Sequence, residues 1–490
     1  MLTQDKCERT DPRLYRFKTP NFRQLAIKYP TTFSTFVKDD GGYEAKLDFH
    51  DAEAVRSLAQ TLLLDDFHLD ATFSPTNLCP MIPNRLAYVS FVHELLAWTL
   101  PTWHVLEHFR RRPLDAAVRG LDVGTGASAI YPILGAACFA AWRFVATDVD
   151  GASLAYAREH VVGRARGEVK QRIELVRVAE EDAFVPEGER AYDFTMCNPP
   201  FYSSQHEMDD LARIKRQPAN AVCHGTPSEM ITSGGEVSFV QRMIRESLTP
   251  APKVRWWTCM LGRLSSVVTL SAELKQLAKA GKVGGWGVHE LATGGGRTKR
   301  WVILWTAAAA TKLRIPDRLS RDGLPSSLDK TKPVSGERRG NVLQLGSRTH
   351  KELLEHTSCI LNELEGCFVY PSAYLQPDDP IQRLGERAHA NGKLTGDTGT
   401  LDVILTKESW TRKARRAKLQ ATDPPVTALP RTLTAEHVEP LLMARISFID
   451  KTGLVVKVSW TYGMDAVKFE SFAMFLLAAV ERRVAEDQQM

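Results

Sequence analysis

The stretch Leu121-Asp-Val-Gly-Thr-Gly-Ala-Ser128 joins a short apolar strand to a helical stretch through a glycine turn. A glycine has no Cβ, so it lets the backbone turn tightly and approach a ligand that any side chain would block. Such a pair also occurs in plain turns between a strand and a helix. Gly124 and Gly126 therefore indicate a nucleotide-type site only in combination with matching groups after neighbouring strands.

Apolar strands alternate with helix-like stretches on the C-terminal side of this turn. Further strands are predicted at Phe144–Thr147, Ile173–Val178, Tyr192–Cys197, Val254–Leu261 and Trp301–Thr306. Alternation over about 190 residues predicts an α/β fold with a mainly parallel, doubly wound sheet.

Length and composition predict more than one domain. The chain has 490 residues, 43% hydrophobic and 25% charged, as in ordinary soluble globular proteins. At roughly 150 residues per domain we expect two or three units. The predicted order is an N-terminal module (1–110), the α/β domain (111–310), a linker (311–346) and a smaller C-terminal α+β domain (347–490). Pro, Ser, Lys and Gly without apolar periodicity indicate the linker.

Cysteine spacing, the N-terminus and net charge narrow the class of protein. Eight Cys without CxxC pairs or Cys/His metal spacing predict reduced thiols in an intracellular protein and no metal site. The polar N-terminus has no apolar signal core, and no apolar run is long enough to span a membrane. A net charge of +5 does not by itself establish nucleic-acid binding.

Two acidic positions follow neighbouring strands of the predicted sheet. Asp148 comes about 20 residues after the glycines, where a carboxylate can accept both ribose hydroxyls or instead cap the next helix. Asp182 follows the third strand, where it could accept an adenine amine or belong to a solvated acidic loop. The third glycine of a dinucleotide fingerprint and a GK[ST] sequence are both missing. This pattern favours S-adenosylmethionine over NAD or ATP.

The motif Asn198-Pro199-Pro200-Phe201 directly follows the buried strand Tyr192–Cys197. Prolines are costly there, because they remove hydrogen-bond donors from a sheet. An exocyclic amine is a poor nucleophile, since its lone pair is delocalised into the ring. The Asn198 side-chain oxygen and the Pro199 carbonyl can hold both amine hydrogens, and Phe201 can stack on an extruded base. The motif therefore predicts methyl transfer to an adenine-type amine without a metal.

With Pro83-Asn-Arg85-Leu-Ala-Tyr88, GTGASAIYP at 124–132 and Gly296-Arg-Thr-Lys-Arg300-Trp301, the chain resembles the methyltransferase-like protein 16 family, as a fungal member. The resemblance covers roughly residues 10–306. It implies a Rossmann-like class I S-adenosylmethionine-dependent methyltransferase that modifies adenosine N6 in U6 small nuclear RNA. The cofactor contacts that it implies fall on Arg85, Gly124, Gly126, Asp148, Asp182 and Asn198.

The resemblance also implies an RNA groove. The matching basic residues are Arg13, Arg16, Lys18, Arg213, Arg216, Arg297 and Arg300. Tyr15, Phe17 and Phe201 interleave aromatic rings with these charges, which suits single-stranded or bulged RNA. Any one such arginine is more often a solvated surface charge, but Arg297 and Arg300 are better candidates because three glycines precede them just before the last strand.

We expect a nuclear enzyme whose partner is U6 or another structured RNA. Alternative substrates are ribosomal RNA adenine and a protein glutamine, and a catalytically inactive RNA-binding splicing factor is a further alternative. The basic stretch 412–418 could bind RNA, direct nuclear import or form a solvated helix face.

Overall fold

The computed structural model of the chain contains two compact units. The first comprises the described residues of 20–94 and 117–307, and the second those of 95–109 and 342–487. The predicted N-terminal module and the predicted α/β domain thus share one unit over most of their length. The structure describes residues 20–39, 45–109, 117–188, 190–208, 225–249, 254–291, 299–307, 342–345, 350–371, 400–414, 416, 440–450, 454–463 and 466–487.

Helices and a two-stranded antiparallel sheet precede the main sheet. In order they are α1 (Phe22–Lys28), β1 (Val37–Lys38), β2 (Lys46–Leu47), α2 (Ala52–Phe67) and α3 (Ile82–Phe109). Asp51 is the N-cap of α2: its carboxylate accepts hydrogen bonds from the Glu53 and Ala54 N–H groups. Helix α3 continues through Pro101 to Phe109.

The first unit is built on a seven-stranded sheet, with the order β5-β4-β3-β6-β7-β9-β8. Neighbours from β5 to β7 are parallel, whereas β9 pairs antiparallel with β7 and with β8. The predicted mainly parallel sheet is confirmed, with β8 as an additional strand. The strands are β3 (Val118–Val123), β4 (Trp142–Asp148), β5 (Ile173–Arg177), β6 (Tyr192–Cys197), β7 (Val254–Leu261), β8 (Val283–Leu291) and β9 (Arg300–Ala307).

The helices of this unit connect the strands. They are α4 (Ile130–Cys138), α5 (Gly151–Tyr156, continued by a π-helix over Ala157–Val162), α6 (Gly167–Lys170), α7 (Pro227–Met230), α8 (Gly235–Ser247) and α9 (Leu264–Lys279). The core includes Trp257 and Trp305, which are fully buried and stacked with ring centroids 6.1 Å apart. Buried aromatic side chains of this size contribute strongly to the stability of a core.

The second unit is an α+β domain, as predicted. Its antiparallel sheet has the order β10-β14-β13-β12-β11. Strand β10 lies inside the predicted linker 311–346, because Val342-Leu-Gln-Leu345 has apolar residues that the composition of the surrounding segment obscures. The elements are β10 (Val342–Leu345), α10 (His350–Asn362), β11 (Cys367–Pro371), β12 (Thr400–Leu405), β13 (Leu442–Asp450), β14 (Leu454–Tyr462) and α11 (Ala466–Asp487).

A buried ion pair lies in this second sheet. The Arg445 Nε donates to the Asp402 Oδ1 over 2.9 Å, and Arg445 also donates to the Trp98 carbonyl. Both charged side chains are almost fully buried, so each needs the other to offset desolvation. Within the basic stretch 412–418, residues 412–414 are helical, and Arg412 and Lys413 are exposed.

Candidate active site

The glycine turn between β3 and α4 has a left-handed backbone. Gly124 and Gly126 have φ angles of +70° and +62°, a region that disfavours side chains. The Gly124 and Thr125 N–H groups donate to the Thr147 carbonyl of β4 over 3.0 and 2.9 Å. The turn is thereby fixed at the carboxyl ends of β3 and β4, where open α/β sheets bind their ligands.

Asp148 lies at the end of β4, beside this turn. Its Oδ2 accepts the Gly126 N–H over 2.7 Å, and its Oδ1 accepts the Asp150 N–H over 2.9 Å. The N-cap of α5 is Asp150 rather than Asp148, so the capping alternative for Asp148 is wrong. Burial raises the pKa of Asp148. The carboxylate therefore holds the glycine turn against β4.

Asp122 lies at the end of β3, and the sequence motif that contains it does not indicate its role. It is 1% exposed, and neither carboxylate oxygen has a hydrogen-bond partner among the described residues. Burial raises the pKa of Asp122 to about 7, although the Thr125 hydroxyl, nearby but outside hydrogen-bonding geometry, lowers it. A buried, unpaired carboxyl is costly, which makes it a candidate for binding a cationic ligand.

Arg85 lies in the first turn of α3. Its Nη1 donates to the Tyr131 hydroxyl over 2.7 Å and lies 3.5 Å from the Met260 sulfur. Its Nε is buried without a partner among the described residues, and its charge acts on Asp122. The Tyr131 contact orients a guanidinium that still has a free donor for a carboxylate.

Asn198 follows the last residue of β6 and carries the predicted acceptor. Its Oδ1 is buried and has no hydrogen-bond partner in the described part of the chain. Pro199 is buried and Pro200 half-buried in the adjoining loop. Proline fixes φ, so the two residues restrict the loop that carries the Asn198 and Pro199 oxygens.

Phe201 is held between a glycine and an arginine. An added Cβ at Gly262 would lie 2.9 Å from the Phe201 Cε1, so only glycine leaves room for the ring there. The Gly262 N–H donates to Glu236, a carboxylate whose pKa burial raises. The Arg300 guanidinium carbon lies 5.9 Å from the Phe201 ring centroid. The predicted Arg300 thus lies next to the predicted stacking ring.

Tyr202 and Arg263, which directly follow Phe201 and Gly262, form a second pair of an aromatic ring and an arginine. The sequence does not predict this pair. The Arg263 guanidinium carbon lies 5.4 Å from the Tyr202 ring centroid, and its Nη1 contacts Glu207 over 2.6 Å. Hydrogen bonds from Ser203 and from Arg263 lower the pKa of Glu207 to about 2. The contact spans 56 residues, so no local pattern signals it.

Asp182 is exposed, and its carboxylate accepts the Ala179 N–H of its own loop over 2.8 Å. The Arg242 Nη2 donates to the Asp182 carbonyl. These bonds order the loop after β5, and the role of Asp182 toward a cofactor stays a prediction. The other predicted RNA-binding residues lie outside the described residues: Arg13, Arg16, Lys18, Arg213, Arg216 and Arg297.

Unpaired polar atoms converge at the carboxyl ends of β3 and β6. The Asp122 oxygens, the Arg85 Nε and the Asn198 Oδ1 are all buried without partners among the described residues. Asp122 offers an anion for the ammonium of a methionine moiety, and Arg85 offers a cation for its carboxylate. Asn198 offers a neutral acceptor for an amine substrate. No cluster of His, Cys, Asp or Glu suited to a metal occurs in the described ranges. No helix within these ranges is long and apolar enough to cross a membrane.

Comparison with known proteins places the chain in a family. A model described as RNA methyltransferase matches residues 8–309. The U6 small nuclear RNA (adenine-(43)-N(6))-methyltransferase of Schizosaccharomyces pombe is 30% identical over 89% of this chain and 95% of its own length. The RNA N(6)-adenosine-methyltransferase mettl16 of Xenopus laevis is 36% identical over 60% of this chain, which spans only 50% of that relative.

Among solved structures, the hMettl16 catalytic domain in complex with MAT2A 3'UTR hairpin 1 is 35% identical, with a TM-score of 0.49 over 59% of this chain and 92% of that one. The family match covers more than half of the chain, and the S. pombe relative aligns with almost all of it. The chain therefore belongs to the RNA methyltransferase family that its motifs predicted.

Proposed function

We propose that this protein is an S-adenosylmethionine-dependent methyltransferase that modifies adenosine N6 in U6 small nuclear RNA. The observation that carries the proposal is the buried, unpartnered Oδ1 of Asn198 at the end of β6. An unpaired buried acceptor costs free energy, roughly 1–3 kcal/mol, which a substrate amine would recover.

The chain's own residues would act by positioning and polarising the amine. The Asn198 Oδ1 and the Pro199 carbonyl accept the two amine hydrogens, which turns the nitrogen lone pair outward and stabilises the positive charge that develops there. Pro200 restrains the loop. Phe201, backed by Arg300, stacks on a base that has left its helix, worth about 1–3 kcal/mol.

Residues around the glycine turn would hold the cofactor. When bound, S-adenosylmethionine supplies an electrophilic methyl group on its sulfonium. Arg85 would bind the methionine carboxylate, and Asp122 would neutralise the ammonium. Gly124 and Gly126 would allow close backbone approach, with Asp148 toward the ribose and Asp182 toward the adenine.

RNA would bind along the basic and aromatic face of the site. Arg300 and Arg263, each beside an aromatic ring, support this assignment among the described residues. The predicted Arg13, Arg16, Lys18, Arg213, Arg216 and Arg297 would extend the same groove. U6 is favoured because the relative aligned over 89% of this chain carries U6 in its name. A U6 substrate also favours a nuclear location.

The test is transfer of a labelled methyl group from S-adenosylmethionine to defined RNAs. The full chain is incubated with a U6 transcript, with the same transcript lacking its central adenosine-containing box, and with large-subunit ribosomal RNA. Nucleoside digestion then identifies the modified base. We expect N6-methyladenosine at one U6 position, absent from the truncated transcript.

Label found only on ribosomal RNA would replace the substrate with the ribosomal alternative. Label on no RNA, with tight U6 binding retained, would favour the inactive splicing factor. Either result contradicts the proposal, and both are distinguishable in one set of reactions.

A further inference from the structure

Glu229 lies in the short helix α7, outside every motif predicted from sequence. Its Oε2 accepts the Thr226 N–H over 2.9 Å, the Thr226 hydroxyl over 3.1 Å and the Leu78 N–H over 3.0 Å. Leu78 is 151 residues away, in the loop that leads into α3 and Arg85. One carboxylate oxygen thus joins two distant segments beside the site.

The segment that carries Glu229 is also tied to the NPPF loop. The Tyr202 N–H donates to the Met230 carbonyl over 3.0 Å, and the Thr232 N–H donates to the Tyr202 carbonyl over 2.9 Å. These bonds place α7 against the residue that follows Phe201. Glu229 is therefore held at the site from two directions.

The other oxygen of Glu229 faces the glycine turn. A Cβ added to Gly126 would lie 3.3 Å from the Glu229 Oε1, a close approach for any atom there. The Oε1 accepts no hydrogen bond from the described residues. Among the described residues no donor occupies Oε1, so this oxygen of Glu229 is the one that can accept a hydrogen bond from a ligand.

Two carboxylates consequently converge on one glycine. Asp148 binds the Gly126 N–H, Glu229 faces the same residue, and the negative charge of Glu229 contributes to the raised pKa of Asp148. The buried and unpartnered Asp122 lies close enough for Asp148 to raise its pKa as well. Carboxylates that repel each other while other hydrogen bonds hold them in place are stabilised when a ligand places hydrogen-bond donors between them.

We infer that Glu229 is a second carboxylate for the cofactor ribose, accepting one hydroxyl while Asp148 accepts the other. Both Asp148 oxygens already accept backbone N–H groups, so each has one lone pair left. In the proposed site, Arg85 and Asp122 would bind the carboxylate and ammonium of the cofactor's amino-acid end, which leaves the ribose as the donor-rich group for Glu229. The inference rests on the proposed cofactor site.

The test measures binding rather than turnover, on the full chain, by titration calorimetry. The probes are S-adenosylhomocysteine and 5′-methylthioadenosine, which share adenine and ribose but differ in the amino-acid moiety. Glu229→Gln keeps a carbonyl oxygen for the Leu78 and Thr226 N–H groups and replaces Oε1 with a donor. Thr226→Ala is the matched control, because it removes a bond to Oε2 and leaves Oε1 unchanged.

We expect Glu229→Gln to weaken both ligands by the same factor, about tenfold, with thermal unfolding unchanged. Thr226→Ala should lower thermal stability slightly and leave both affinities within about twofold. A loss confined to S-adenosylhomocysteine would assign Glu229 to the ammonium and overturn the ribose assignment. Equal affinities in wild type and variant would mean that Glu229 only links two loops. That result would also overturn the ribose assignment.

A ligand-side measurement keeps the inference testable even if the variant unfolds. Wild-type protein is titrated with the 2′-deoxy and 3′-deoxy forms of 5′-methylthioadenosine. Two carboxylates predict that loss of either hydroxyl weakens binding, by about tenfold each. If one hydroxyl is dispensable, the inference is wrong. If wild-type protein binds none of the parent ligands, the proposed cofactor site itself fails.

Discussion

The Asp148 carboxylate accepts a hydrogen bond from the Gly126 backbone over 2.7 Å, although 22 residues separate them in the chain. The bond fixes the glycine turn of β3 against the end of β4. Because the second Asp148 oxygen holds the Asp150 N–H, one side chain orders both the turn and the start of α5.

Asp148→Asn should destabilise the protein by about 1–3 kcal/mol in urea denaturation, since the amide has one acceptor oxygen where two are used. Asp51→Asn is the matched control: a single oxygen, the Asp51 Oδ1, accepts both the Glu53 and the Ala54 N–H groups, so a change within about 0.5 kcal/mol is expected. Equal effects of the two variants would contradict the role assigned to Asp148.

Asp122 predicts a specific pH dependence. Burial raises the pKa of Asp122 in the folded protein to about 7, above the ordinary value of about 4, so the folded state binds more protons than the unfolded state between these pH values. The contribution of Asp122 therefore lowers the free energy of unfolding as pH rises from about 4 to about 7. Asp122→Asn should gain stability relative to wild type from pH 5 to pH 8. A stability difference that does not vary with pH would show that the carboxyl titrates normally.

Gly262→Ala should displace the Phe201 ring, because the new Cβ would lie 2.9 Å from its Cε1. Misplacing a stacking group should lower the rate of methyl transfer by about 10- to 100-fold. The relative change in the free energy of unfolding should be smaller. Gly167→Ala is the matched control, since a Cβ there meets no atom within 4 Å. If both variants transfer methyl groups at the wild-type rate, Phe201 has no positional role.

Arg300→Ala should weaken RNA binding and reduce the slope of log affinity against log salt by about one. Lys299→Ala removes the same charge one residue earlier, but Lys299 contacts Glu290 over 2.9 Å. The lysine variant should therefore change affinity much less. Equal losses would mean that only net charge matters and that the Arg300–Phe201 pair is not an RNA contact.

The strands and the candidate site of the first unit could be predicted because their signals are local. A glycine turn, an acid after the next strand and NPPF after β6 each lie within a few residues of a predicted strand end. In an open α/β sheet the carboxyl ends of parallel strands meet at one edge. The position of Gly124, Asp148 and Asn198 at strand ends is therefore enough to predict that they lie at the same edge of the sheet.

The features that could not be predicted depend on contacts between residues far apart in the chain, or on a local composition that hides a strand. Glu229 reaches Leu78 across 151 residues, and Arg263 reaches Glu207 across 56. Strand β8 contains Gly284, Gly285 and Gly287, which weaken a strand signal, and it forms by pairing with β9. Asp122 was visible in the motif, but its burial and raised pKa follow only from packing.

The Asn198 oxygen is the group proposed to hold the reacting amine, so the decisive measurement is single-turnover methyl transfer by Asn198→Ala at saturating S-adenosylmethionine. Removing a group that stabilises developing charge should slow transfer by about 100-fold or more. The affinity for U6 RNA, measured in parallel, should stay within about twofold of wild type. A variant that methylates U6 at the wild-type rate would show that the Asn198 oxygen does not act on the reacting amine.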